Sequence, residues 1–174
     1  MLILVLGGAR SGKSAVAEQL AVRLPQPVTY VATLITDDDD ADMADRISKH
    51  RARRPVTWRS ADAESDLAAQ LREIPGTLLL DSLGPWVASQ VPHDTGVAAL
   101  CDALRRRPGD SVVVSDEVGL AVHPTTEAGL AFRDNLGDAN AAVAAIADQT
   151  LFVVAGRVVT TAAFDPETVL TGGG

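Results

Sequence analysis

Hydrophobic and polar positions along this chain follow two periods. Leu2–Leu6 is an unbroken apolar run, the pattern of a strand buried on both faces. Beyond a glycine-rich stretch, Val16, Leu20 and Leu24 recur every four residues and predict a helix that Pro25 stops. "VTYVAT" reads as a second strand. "DDDDADMADRISKHRARRP" then begins acidic and ends basic, the charge order that suits a helix dipole. Leu67, Leu71 and Ile74 predict another helix, closed by Pro75-Gly76, and "TLLLD" a third strand. Val97, Leu100 and Leu104 predict a helix ending before Pro108-Gly109, and "SVVVSD" a fourth strand. A long helical region follows from about Thr126 to Ala147. "TLFVVAG" is a fifth strand, and "RVVTTA" folds back beside it as a sixth. Strands alternating with helices predict a parallel sheet covered on both faces. Without an internal repeat or linker, residues 1–170 read as one domain, with 171–174 as a disordered tail.

Composition narrows the picture. The net charge is −8, which argues against a general nucleic-acid binder but not against nucleotides, which need only a local positive site. Only 3% of residues are aromatic, so aliphatic side chains must build the core. The first apolar run ends in a glycine loop and reads as a strand rather than a signal peptide. No apolar segment is long enough to span a bilayer, so no membrane insertion and a cytoplasmic location are expected. Cys101 is the sole cysteine, which permits no internal disulfide and no zinc cluster and fits a buried, inert thiol.

The stretch between the first strand and the first helix carries chemistry. Gly7-x-x-x-x-Gly12-Lys13-Ser14 matches the P-loop pattern in full, in the strand–loop–helix context that the pattern requires. Glycines let backbone N–H groups converge on phosphate oxygens, and the helix N-terminus adds partial positive charge. The loop residues Gly7, Gly8, Ala9, Arg10, Ser11, Gly12, Lys13 and Ser14 are therefore expected to hold a nucleoside triphosphate. Lys13 supplies a mobile cation for the β- and γ-phosphates, and the Ser14 hydroxyl is placed to ligate Mg²⁺. Such a loop also needs a carboxylate at the end of a neighbouring strand. Asp81 ends "GTLLLD", the usual form of that strand, while Asp116 and Glu117 end "SVVVSDE". All three also read as turn acids or helix caps.

A second stretch bears on the reaction. On a helix, Met43, Ile47 and His50 fall on one face, flanked by Arg46 and Arg54, with Arg51 and Arg53 further round. His50 reads either as a core histidine or as a nucleophile that neighbouring cations keep uncharged. The arginines suit a triphosphate or a pyrophosphate leaving group.

The chain resembles the bifunctional adenosylcobinamide kinase / adenosylcobinamide-phosphate guanylyltransferase family of cobalamin biosynthesis. Nearly the whole chain takes part, in family order: "ILVLGGARSGKS", "YVAT", "DMADRISKHRARRPVTWR", "LLLDSLGPWV", "VVVSDEVGLAVHP", "FRDNLGDAN" and "LFVVAG". The phosphate loop is generic; "RI-x-x-HR-x-x-RP-x-x-W" and "EVG…P…FRD-x-x-G-x-x-N" are far more specific. The resemblance implies phosphorylation of adenosylcobinamide by ATP or GTP. It further implies transfer of GMP from GTP, through a guanylyl-histidine at His50, to the cobinamide phosphate. Lys13 and His50 would be catalytic. Ala32, Thr33, Leu34, Arg51, Ala52, Arg53, Arg54, Asp62 and Asp81 would contact the guanine nucleotide or its metal, with Mg²⁺ on Ser14 and Asp81. A homotrimer is implied too. The fold expected is a three-layer α/β P-loop NTPase fold, RecA-like, with a mostly parallel sheet and a C-terminal antiparallel edge hairpin.

The chain departs from the family pattern in places. Asp62 stands where a glutamate is usual, Asp116 replaces an asparagine and adds negative charge near the phosphates, and Ala141 replaces a glutamine. Arg133, Asp134 and Asn140 read either as lining a corrinoid or subunit interface or as the solvated side and caps of a helix. His93 and His123 read as solvated surface. Two other functions fit the loop: a small-molecule kinase without nucleotidyl transfer, and a GTP-binding module without turnover.

Overall fold

The computed structural model describes residues 1–34, 54–90 and 96–163. The predicted helix bearing His50, with Arg51, Ala52 and Arg53, lies outside them, as does His93.

Seven strands form one sheet: β1 (Leu2–Gly7), β2 (Val28–Ala32), β3 (Arg59–Asp62), β4 (Thr77–Asp81), β5 (Ser111–Asp116), β6 (Gln149–Val154) and β7 (Arg157–Thr161), in the order β3-β2-β4-β5-β1-β6-β7. Every neighbouring pair is parallel except β6 and β7, the antiparallel hairpin expected at the C-terminal edge. The described helices are α1 (Lys13–Arg23), α2 (Leu67–Glu73), α3 (Leu83–Gln90), α4 (Val97–Arg106) and α5 (Glu127–Ala144).

The unbroken apolar runs resolve into two faces with a period of two. Leu2 and Leu4, Leu78 and Leu80, and Val113 point into a core built with Leu67, Leu71, Leu83, Leu100, Leu104, Leu136 and Val143 of α2 to α5. Ile3 and Val5, Leu79, and Val112 and Val114 point the other way, against Ala17 and Ala21 of α1 and Trp58. Each fully buried aliphatic side chain contributes about 1.5–3 kcal/mol relative to exposure, so these strands hold the centre of the sheet.

Two elements were not expected from the pattern. β3 is an edge strand with three exposed residues among its four, so it carries no apolar period to read. α3 contains Gly84 and Pro85, which look like breakers, yet Pro85 sits in the first turn, where its missing N–H costs nothing. The ends of the remaining elements fall within a few residues of expectation.

The strand order places function. β1, which feeds the phosphate loop, and β4, which ends in Asp81, are separated only by β5. The chain leaves β1 for β2, two strands beyond β5, so a crevice opens above the carboxyl ends of β1, β5 and β4. At the opposite, amino end of the strands Arg107 is buried, 6% exposed, and its guanidinium donates to the carbonyls of Asp110, Ile74 and Gly76 and to the Ser111 hydroxyl. It ties the turns entering β4 and β5 together, and burial pulls its pKa down. Among the described residues no helix is long and apolar enough to cross a membrane.

Candidate nucleotide site at the phosphate loop

The loop is shaped by close approaches that only glycine permits. A Cβ on Gly7 would come within 2.5 Å of Ser11 Oγ and 2.7 Å of the Val153 carbonyl oxygen. Gly12 has φ 95°, the left-handed region, at the start of α1. The two-residue turn of the β6–β7 hairpin, Ala155-Gly156, has positive φ at both positions, the geometry that matches strand twist. Gly156 N–H donates to the Ser11 carbonyl at 2.8 Å, so the hairpin supports the loop from below. α1 has neither a side-chain cap nor an acid in its first turn, which leaves its positive end to an anion.

Three predicted residues converge here. Lys13 Nζ donates to the Gly8 carbonyl at 3.3 Å. Ser14 Oγ donates to Asp81 Oδ1 at 3.3 Å, across 67 residues of sequence. The carboxylate at the end of β4 is thus the one that meets the serine. Of the other two acids, Glu117 accepts the Gly119 N–H at 2.8 Å as a turn acid, and Asp116 pairs with Lys13 at 2.7 Å.

Ala32, Thr33 and Leu34 continue β2 past Asp81: the Thr33 N–H donates to the Asp81 carbonyl at 3.3 Å. The Thr33 side chain is buried, with its hydroxyl engaged by the backbone of Ser82, while Leu34 is exposed. Asp62 ends β3 in register with Ala32, which is in register with Asp81. Two strand spacings place it about 10 Å from Asp81 along the sheet. Its carboxylate side is exposed, and its carbonyl accepts from Gln70 Nε2 at 2.8 Å.

Arg54 is built into this end of the sheet. Its guanidinium carbon lies 3.2 Å from the centroid of the Tyr30 ring, and its Nε lies 3.5 Å from Glu18 Oε1 of α1. Tyr30 in turn donates its hydroxyl to Asp81 Oδ2 at 3.3 Å. Burial first, and the Asp81 carboxylate second, push the Tyr30 hydroxyl far above its ordinary pKa, so it stays a donor. Tyr30 carries little sequence signal as a site residue: a polar-tipped aromatic within a mostly apolar strand. Asn140 is buried and donates to the Asp116 carbonyl at 3.0 Å, which ties the "FRDNLGDAN" helix to the carboxyl end of β5. Arg133 instead pairs with the exposed Asp134 and the exposed His123. Cys101 is buried, and burial pushes its thiol pKa up, as an inert cysteine requires.

A metal fits this arrangement on its donor chemistry. Ser14 Oγ and Asp81 Oδ1 are hard oxygens held side by side beside the lysine. No group of three or more His, Cys, Asp or Glu that could hold a metal occurs among the described residues. One hydroxyl, one carboxylate, phosphate oxygens and water make the mixed shell that Mg²⁺ accepts.

Comparison with known proteins agrees with this architecture. A family described as cobinamide kinase / cobinamide phosphate guanyltransferase matches residues 3–161. The bifunctional adenosylcobalamin biosynthesis protein CobP of Pseudomonas aeruginosa is 39% identical over 162 residues, 88% of this chain and 92% of the relative. The bifunctional adenosylcobalamin biosynthesis protein CobU of Salmonella typhimurium is 38% identical over 178 residues, 90% and 97% of the two chains. A solved structure from Pyrococcus horikoshii OT3 shares the fold, with a TM-score of 0.53 at 10% identity, covering 95% of this chain and 88% of that one. With the match running through the phosphate loop, both acidic strand ends and the terminal hairpin, the chain belongs to the cobinamide kinase / cobinamide phosphate guanyltransferase family.

Proposed function

We propose that this protein phosphorylates adenosylcobinamide with ATP or GTP and then transfers GMP from GTP to the product, giving adenosylcobinamide-GDP. The observation that carries the reading is the meeting of Ser14 and Asp81 beside Lys13 at the mouth of the loop, in a chain of this family.

In the first reaction the acceptor hydroxyl attacks the γ-phosphorus. The bond to the β-phosphate oxygen breaks, the nucleoside diphosphate leaves, and the hydroxyl proton passes to solvent. Backbone N–H groups of Gly8 to Ser14 and the Lys13 ammonium hold the phosphates in line; positioning and charge neutralisation are most of what this chemistry asks of a protein. Mg²⁺ bound by Ser14 and Asp81 would neutralise phosphate charge. Tyr30, donating to the second oxygen of Asp81, keeps that carboxylate aimed at Ser14.

In the second reaction the neutral His50 imidazole attacks the α-phosphorus of GTP and pyrophosphate leaves. An oxygen of the cobinamide phosphate then attacks the same phosphorus and the P–N bond breaks. One hard displacement becomes two easier ones. His50 stands four residues before Arg54, and four residues of extended chain reach at most about 14 Å. Arg54 stacks on the tyrosine that bonds Asp81. Arg51, Ala52, Arg53, Arg54, Asp62 and the turn Ala32, Thr33, Leu34 would line the guanine nucleotide. The assembly proposed is a homotrimer, and the location the cytoplasm.

Mass spectrometry of adenosylcobinamide incubated with the protein and Mg²⁺ tests the reading. ATP alone should add one phosphate, and ATP with GTP should add a further GMP. Phosphorylation without GMP addition would leave a simple kinase; neither product would leave a nucleotide-binding module.

A further inference from the structure

Lys13, the cation expected to meet the β- and γ-phosphates, is already occupied. Its Nζ lies 2.7 Å from Asp116 Oδ1 and 3.3 Å from the Gly8 carbonyl. The partner is held in place from several sides. Asp116 ends β5 in register with Gly7, and the next residue, Glu117, donates its N–H to the Gly7 carbonyl at 3.1 Å. The Asp116 carbonyl accepts from buried Asn140. Its other carboxylate oxygen faces α3, where a Cβ on Gly84 would come within 3.0 Å. The two side chains are only 12% and 32% exposed, so water screens the pair partially.

We propose that Asp116 is a built-in competitor for polyphosphate: its carboxylate holds Lys13 in the ligand-free protein, and the β- and γ-phosphates of a nucleotide must take the ammonium from it. The proposal rests on the phosphate-loop reading above. A ligand carrying only an α-phosphate has no need of Lys13 and meets no competition. A di- or triphosphate, or released pyrophosphate, meets a carboxylate that reclaims the lysine. Asp116 would thereby weaken retention of polyphosphate products. An asparagine here would keep the shape of the side chain and lose the ion pair.

Fluorescence titration of the full chain with GMP, GDP and GTP analogues in EDTA, free of divalent cation, tests this. Asp116→Asn should tighten GDP and GTP binding roughly 5-fold while leaving GMP within about twofold. In a Lys13→Met background the same substitution should give under about twofold for GDP. Asp116→Ser should agree in sign, and thermal melts confirm that each variant is folded. An equal gain for GMP, or a gain that persists without Lys13, would mean simple charge repulsion and overturn the proposal. Weaker GDP binding in Asp116→Asn would overturn it as well. Wild-type protein that binds none of the three nucleotides would instead remove the phosphate-loop reading itself, a distinct result.

Discussion

The Tyr30 ring carries the Arg54 guanidinium on its face at 3.2 Å from its centroid and the Asp81 carboxylate at its hydroxyl, 3.3 Å away. One side chain thus spaces a cation and an anion across the end of β2. Tyr30→Phe keeps the stacked face and removes the donor, so it should cost about 1 kcal/mol in denaturant unfolding. Tyr30→Leu removes the cation–π contact and leaves a cavity as well, and should cost about 2 kcal/mol more.

The same residue predicts a pH dependence. Its folded pKa is raised, by burial first and then by Asp81, so the fold binds the hydroxyl proton more tightly than the unfolded chain does. The stability it contributes is complete below the unfolded value near 10 and is lost progressively as pH rises above it. Between pH 9 and about 11.5, wild-type protein should therefore lose more stability than Tyr30→Phe; equal losses would place the ionisation elsewhere.

Asp81 accepts from both Ser14 and Tyr30. Asp81→Asn keeps an acceptor in place and removes the charge, so phosphoryl transfer should fall on the order of 100-fold at fixed Mg²⁺. Nucleotide affinity measured without divalent cation should change little. Equal losses with and without the metal would show that Asp81 acts on the loop itself.

Gly7 and Gly8 are neighbours with opposite requirements. Gly7→Ala drives a Cβ against Ser11 and the backbone of Val153, and should cost about 1–3 kcal/mol in thermal unfolding. A Cβ on Gly8 meets nothing within 4 Å, so Gly8→Ala should leave stability within about 0.5 kcal/mol. Weakened nucleotide binding in Gly8→Ala would then report the approach of phosphate to that backbone.

How far the sequence shows these features depends on which physical force made them. Strands β1, β4 and β5 are legible because burial on both faces demands unbroken apolar runs. Edge strand β3 is not legible, because pairing with β2 makes no demand on its exposed side chains. The phosphate loop is legible because close approach at Gly7 and a left-handed backbone at Gly12 admit few residues. The sequence puts the charge of Asp116 near the phosphates but not on Lys13: that contact depends on the register of β5 against β1, which no local pattern encodes. Arg107, beside Pro108-Gly109, has no local pattern that marks it as the buried tie between the turns entering β4 and β5.

The claim on which the account most depends is covalent capture of GMP by His50. Protein incubated with GTP labelled at the α-phosphate and Mg²⁺, then denatured and digested, should carry acid-labile, base-stable label on the peptide containing His50, and His50→Ala should carry none. Undiminished labelling of His50→Ala would contradict the account, as would pyrophosphate release with no labelled protein at any time.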